Sequence, residues 1–187
     1  MDVRVEEYLR VAAKHDLPAL LKLLSAWEKL DTEGMHEITV DFPLYAAVTE
    51  LYIGLDENAK IEKHSTPYID KKPIVYYGSS ITQGGCTSRP GNTYQSVITR
   101  RLDADHINLG FSGSARGETT MAEYIASLEM SAFVYDYDHN APTLEHLQKT
   151  HEPFFKIIRQ AHPDIPIVFM TKPIYKLPES DPCRKTI

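Results

Sequence analysis

Ser80, a glycine-rich turn around it, an asparagine at the end of an apolar run and two Asp-x-x-His strings are the features of this chain whose types and spacing could do chemistry. Ser80 lies in Gly78-Ser79-Ser80-Ile81-Thr82-Gln83-Gly84-Gly85, directly after the apolar run Pro73-Ile74-Val75-Tyr76-Tyr77. At the carboxyl end of a parallel strand the chain turns sharply into a helix, and glycines permit backbone angles and close approaches that a side chain would block. A serine there is exposed, and its own N–H points into the same pocket, so one residue can offer a nucleophile and an oxyanion donor. Turns of this composition also cradle phosphates or merely connect elements. The usual phosphate loops do not fit, because neither Gly-Lys-Ser/Thr nor Gly-x-Gly-x-x-Gly occurs at this turn; the Gly-x-Ser-x-Gly elbow is absent too.

The surrounding pattern supplies elements that could position such a turn. Apolar runs at Pro73–Tyr77, His106–Leu109, Ala132–Tyr137 and Ile165–Met170 recur roughly every thirty residues, the length of one strand-helix unit. Between them Tyr94, Val97, Ile98 and Leu102 form one helical stripe, Met121, Ile125 and Leu128 a second, and Leu144, Leu147, Phe154, Ile157 and Ile158 a third. Pro153 is expected to kink or restart the last of these helices. Strands alternating with helices imply a parallel sheet covered on both faces, with right-handed crossovers.

The octapeptide resembles the first block of the SGNH, or GDSL-type, hydrolases, Gly-Asp-Ser-Ile-Thr-x-Gly, with Ser79 where the Asp usually stands and Ser80 in the nucleophile's place. Ile107-Asn108-Leu109-Gly110-Phe111-Ser112-Gly113-Ser114 is similar to the second block, whose glycine supplies an oxyanion N–H, and this assigns Gly113. Phe133-Val134-Tyr135-Asp136-Tyr137-Asp138-His139-Asn140 resembles the third, which ends a strand with an asparagine, and this assigns Asn140. There the family's Gly-x-Asn-Asp has become Asp138-His139-Asn140-Ala141. From about Lys72 to Pro173 the chain resembles the branch of the family that carries a β-rich domain ahead of its hydrolase domain. The resemblance implies an α/β fold with a flavodoxin-like three-layer α/β/α parallel sheet. It implies a serine esterase acting on small esters or acylated carbohydrates through Ser80, with the Ser80 and Gly113 N–H groups and the Asn140 amide as oxyanion donors. No metal or organic cofactor is called for.

A serine hydroxyl is a poor nucleophile at neutral pH and needs a base, usually a histidine oriented by a carboxylate. In the family both arrive on a late Asp-x-x-His segment after the fifth strand, whereas this pattern reaches Ile187 with four, so the last strand and helix are expected to be missing. Asp103–His106 leads into the second strand at its amino end. Asp136–His139 starts within the third, where alternation turns the two side chains to opposite faces. His139 therefore reads as a rim histidine first and a substitute base second, and His146, His151 and His162 read as solvated. Two function classes stay open: an esterase represented by an incomplete chain, and a non-catalytic binding module that keeps the pocket and lacks the base. An Asp-x-x-His in coding sequence beyond Ile187 would separate them.

Composition sets the outer limits. With 187 residues, 42% hydrophobic and 25% charged, there is room for one full domain and a fragment of another. The net charge of −6 leaves no basic stripe to neutralise phosphates, which argues against nucleic-acid partners; Arg100-Arg101 reads as a solvated helix end. Cys86 and Cys183 define no disulfide framework and no zinc spacing, and Cys86 reads as a partly buried structural thiol. No secretion signal or membrane span is visible, so the chain as written reads as cytoplasmic and without a membrane partner. Residues 1–60 are expected to hold a helical segment over Val3–Leu30, broken near Pro18, and a remnant of the β-rich domain in strands Glu37–Tyr45 and Val48–Leu55. Residues 61–72 read as linker and 73–187 as a partial hydrolase domain. An uncovered edge at Ile165–Met170 is expected to favour self-association.

Overall fold

The apolar runs become parallel strands. The computed structural model describes residues 8–10, 41–49, 52–54, 57–58, 60–62 and 68–171, and the chain divides into two units, Met1–Thr66 and Pro67–Ile187. In the first unit β1 (Tyr8–Arg10) pairs antiparallel with β2 (Tyr52–Gly54), Leu9 lying opposite Ile53. Tyr8 thus belongs to a strand rather than to the expected helix; the remaining stripe positions, Val11 to Trp27, lie outside the described residues. Within the expected strand Glu37–Tyr45, residues 41–45 carry no ladder, and Leu44–Ala46 form a bend. Pro43 offers one physical reason, having no N–H to give to a strand pair. Glu37–Val40 lie outside the described residues.

The second unit runs β3 (Asp70–Gly78), α1 (Ser80–Gln83), α2 (Tyr94–Leu102), β4 (Ala104–Gly110), α3 (Thr119–Ala126), β5 (Ala132–Asp136), α4 (Leu144–Ala161) and β6 (Ile167–Phe169). Short 3-10 turns occupy Pro90–Asn92 and Asp138–Asn140. The strands lie in the order β4-β3-β5-β6, every pair parallel, which is the flavodoxin-like order. Pro73 cannot donate to a ladder, and the β3–β4 register shifts between Asp70 and Ile74. The expected fourth strand, Ile165–Met170, shortens to three residues, and Val168 and Phe169 are about half exposed.

Period-two alternation sends the two sets of strand side chains to opposite helical layers. Val75, Tyr77, Phe133 and Tyr135 pack with Ala122 and Ile125 of α3 and Phe154 and Ile158 of α4. Ile74, Tyr76 and Val134 face the other way, against Tyr94 at the start of α2. Burying an aliphatic or aromatic side chain of this kind contributes about 1.5–3 kcal/mol, so the Phe133, Phe154, Ile125 and Ile158 group, buried almost completely, is a main support of the first layer.

Local signals set the helix ends. Thr93 caps α2 by accepting the Ser96 N–H at 3.2 Å, and Asp103 ends it in the left-handed region at φ 48°. Arg100 and Arg101 sit in its last turn, where cations complement the helix dipole. Thr143 caps α4 by accepting the His146 N–H at 3.1 Å. Of the two expected effects of Pro153, a restart does not occur: α4 continues through it as one helix of 18 residues. The carbonyl that Pro153 leaves unmatched belongs to Lys149; both residues are exposed, so water can satisfy it, and burial of Phe154 and Ile158 on the far side of the helix offsets the cost of the proline.

Candidate active site

Register brings three loops to one level. Gly78 of β3 lies opposite Gly110 of β4 and opposite Asp136 of β5, so Ser80, Gly113 and Asn140 all follow strand ends that stand side by side. Hydrogen bonds then lace the loops together. Phe111 N–H donates to the Gly78 carbonyl at 2.9 Å, and Ser79 N–H donates to the Asp136 carbonyl at 3.2 Å. The Asn140 amide donates to the Phe111 carbonyl at 3.0 Å. That same carbonyl accepts the Ser114 and Ala115 N–H groups at 3.0 and 3.2 Å.

The turn at Ser80 forms because each residue has a local task. Ser79 is the N-cap of α1, its hydroxyl accepting the Ile81 N–H at 3.1 Å. Asp and Ser are equivalent caps, which accounts physically for a serine where the motif usually carries Asp. Ser80 is half-buried at the first position of the helix. Gly84 ends the helix at φ 102° and returns its N–H to the Ser80 and Ile81 carbonyls. Gly78 is required by close approach: a Cβ there would overlap the Thr82 hydroxyl and the Asp136 carbonyl.

Gly113 has φ +69° and is exposed, with nothing near the place a Cβ would take. Its N–H makes no hydrogen bond among the described residues. The far end of its loop is anchored in the core. The Tyr77 hydroxyl, fully buried, donates to Glu118 Oε2 at 3.0 Å and accepts the Gly117 N–H at 3.0 Å. Burial chiefly pushes the Tyr77 hydroxyl above its ordinary pKa, so it stays a donor. His146 Nε2 meets the Arg116 carbonyl at 2.8 Å.

Behind the turn lies a polar cluster that sequence reasoning missed. Thr82 donates its hydroxyl to Asp136 Oδ2 at 2.9 Å, and the Tyr94 hydroxyl reaches the same oxygen at 3.3 Å. The Thr82 carbonyl accepts Gln95 Nε2 at 2.6 Å and Asn108 Nδ2 at 2.9 Å. Desolvation raises the Asp136 carboxyl above the usual range, while the Thr82 hydroxyl pulls the other way. A readable signal did exist: Asp136 is the single acidic residue in an otherwise apolar strand, and buried polar groups are paired.

Residues 71–183, more than half of the sequence, match the GDSL-like lipase/acylhydrolase family model. This chain belongs to the GDSL-like lipase/acylhydrolase family. Among solved structures it is similar to a GDSL-like lipase candidate from Bacteroides ovatus ATCC 8483, at 38% identity and TM-score 0.63, over 68% of this chain and 37% of that one. It is similar in fold to the salicylyl-acyltransferase SsfX3 of a tetracycline biosynthetic pathway, at 23% identity and TM-score 0.52, over 62% of this chain and 35% of that one. A family two carbohydrate esterase from Clostridium thermocellum, in complex with cellohexaose, shares the fold at 17% identity and TM-score 0.50, over 72% of this chain and 53% of that one. The chain thus spans about a third of the length of the first two. No curated protein matches it.

The histidines of this family member keep one expected place and depart from others. His106 lies on β4 opposite Ile74, at the end of the strand remote from Gly110, with Nδ1 at 3.1 Å from the Thr99 hydroxyl. His146 and His162 are half-buried against backbone carbonyls, His162 Nε2 meeting Ala126 O at 2.9 Å, and are not simply solvated. His151 stacks on Tyr135 with ring centroids 4.5 Å apart, and burial holds it below the usual histidine range. The strand carrying Asp136 ends there and residues 138–140 turn as a 3-10 helix, so strand alternation does not extend to His139. Cys86 is exposed rather than partly buried. Among the described residues no group of three or more His, Cys, Asp or Glu side chains could hold a metal ion, and no helix is long and apolar enough to cross a membrane.

Proposed function

We propose that this GDSL-family protein is a serine esterase that cleaves carboxylic esters, with small esters or acylated carbohydrates as its substrate class. Ser80 attacks the ester carbonyl, and the negative charge on the carbonyl oxygen is met by the Ser80 and Gly113 N–H groups and the Asn140 amide. The base that takes the Ser80 proton is, by resemblance to the family, the histidine of an Asp-x-x-His segment.

The observation that carries this reading is the hydrogen bond from Asn140 to the Phe111 carbonyl, 3.0 Å long. It draws a side chain from the loop after β5 onto the loop after β4 that displays Gly113, at the level where β3 delivers Ser80. An amide group has two hydrogens; with one held by Phe111, the second is oriented for a ligand oxygen. The test is hydrolysis of an aryl acetate by the full-length protein and its Ser80→Ala and Asn140→Ala variants. Ser80→Ala is expected to abolish turnover with the fold intact. Asn140→Ala is expected to slow it by about 10²–10³, the usual loss for one oxyanion donor. Turnover retained in Ser80→Ala overturns the assignment.

A further inference from the structure

The geometry points to Gln83 as a positioning residue that couples the nucleophile turn to the Gly113 loop. This rests on the esterase reading above and adds to it a residue that sets the distance between nucleophile and oxyanion donor. Gln83 closes α1, three residues after Ser80, and its Oε1 accepts the Ser112 N–H at 2.8 Å. The next N–H along the chain is that of Gly113.

Two further contacts fasten the same short helix to the same strand end. The backbone of α1 lies so close to Gly110 that a Cβ there would overlap Gln83 and the carbonyl carbon of Thr82. Asn108 bridges the two elements, giving its Nδ2 to the Thr82 carbonyl and taking the Gly110 N–H on Oδ1, each at 2.9 Å. Those contacts hold the base of the loop. Gln83 reaches past them to the N–H side of the exposed Phe111–Ser112 peptide, whose carbonyl side is held by Ser114, Ala115 and Asn140; beyond it the Ser112 carbonyl receives the Ser114 hydroxyl at 3.4 Å.

The consequence is chemical. An oxyanion donor is effective only when it lies 2.7–3.1 Å from the place the oxyanion will occupy, which a flexible loop meets only part of the time. With the Gln83 acceptor in place the Ser112 peptide is fixed, and the Gly113 N–H, in its φ +69° conformation, is held at a set distance from Ser80. Without it the Phe111–Ser112 peptide is held by its carbonyl side alone, the Ser112 N–H turns to water, and the tilt of the Gly113 N–H towards Ser80 is less closely set. Ground-state binding, which depends little on that donor, is left largely intact.

The experiment compares full-length native protein with Gln83→Met, which keeps the length and removes the acceptor, and with Gln83→Glu, which keeps an acceptor and adds a charge. Ser80→Ala serves as the control for the esterase reading. Aryl acetate hydrolysis is followed for kcat and KM, and Ser112 amide hydrogen exchange by NMR. Gln83→Met is expected to lower kcat roughly ten- to hundredfold with KM changed less than about twofold, and to expose the Ser112 amide. Gln83→Glu is expected to keep that amide protected and, because its carboxylate repels the developing oxyanion, to show a rate relative to native that rises as pH falls through the carboxylate range. A purely structural role predicts a pH-independent ratio. Native kcat in Gln83→Met, or a flat ratio in Gln83→Glu, overturns the positioning role while loss of activity in Ser80→Ala keeps the esterase reading standing. Undiminished hydrolysis in Ser80→Ala overturns both.

Discussion

The Thr82 hydroxyl donates to the Asp136 carboxylate at 2.9 Å, tying the helix that carries Ser80 to the end of the neighbouring strand. Asp136 is almost completely buried, at 2% exposure, so this bond is made where water cannot replace it.

Desolvation raises the Asp136 pKa from its ordinary 3.8. The folded state then holds the proton more tightly than the unfolded chain, so this contribution to stability is fully present below about 3.9 and is lost as pH rises through the raised folded value. Asp136→Asn keeps an acceptor for Thr82 and Tyr94 and removes the titration. Its melting temperature should gain on the native protein's as pH rises from 4 to 7. Asp136→Leu strands both hydroxyls and should cost about 1–3 kcal/mol. A native-to-Asn difference that does not change with pH counts against this account.

Tyr77→Phe removes the hydroxyl that bridges the Gly117 N–H and Glu118. The loss expected is about 1–3 kcal/mol in chemical denaturation, since a buried N–H is left without its acceptor. Gly117→Ala should be as damaging for a different reason: φ is +74°, and a Cβ would sit 3.0 Å from both the Tyr137 ring and Thr150.

Gly110→Ala and Gly113→Ala should part company. The first drives a Cβ into the backbone of Gln83 and should fail to fold or lose more than about 3 kcal/mol, the upper end for overpacking. The second places its Cβ in open space, leaving only the left-handed backbone cost of about 1–2 kcal/mol. Equal melting temperatures for the two variants would sink the close-approach argument.

His151 titrates in the opposite sense to Asp136. Its folded pKa lies below 6.5, so the unfolded state binds the proton more readily and stability falls as pH drops below that ordinary value. His151→Phe, which keeps the stack on Tyr135, should raise the melting temperature at pH 5 more than at pH 8.

Much of this architecture is written in plain local code. The four strands announce themselves as apolar runs, and the turn around Ser80 as glycines flanking hydroxyls, because burial and backbone freedom act at the level of a few residues. Tyr8 shows where that code stops: its helical spacing with Val11 gives way to a strand that depends on pairing with Gly54, far along the chain. Pro153 is similar, tolerated because its neighbours are buried on one face and solvated on the other. The Thr82–Asp136–Tyr94 cluster was illegible for a related reason. A hydrogen bond across 54 residues leaves no periodicity, and an Asp three before a His draws the eye to the wrong partner.

Three N–H groups converge on the Phe111 carbonyl. A peptide flip between Phe111 and Ser112, the usual way a short loop acquires a second shape, would have to break all three together and the Ser112 N–H bond to Gln83 with them. The loop therefore resists a change of backbone shape, and under the esterase proposal accommodation of acyl groups of different size would fall to side chains at its margin. Ile81, Ser112 and Ser114 are exposed there, and substitutions of these three side chains would reshape the margin of the loop while leaving the bonds to the Phe111 carbonyl in place.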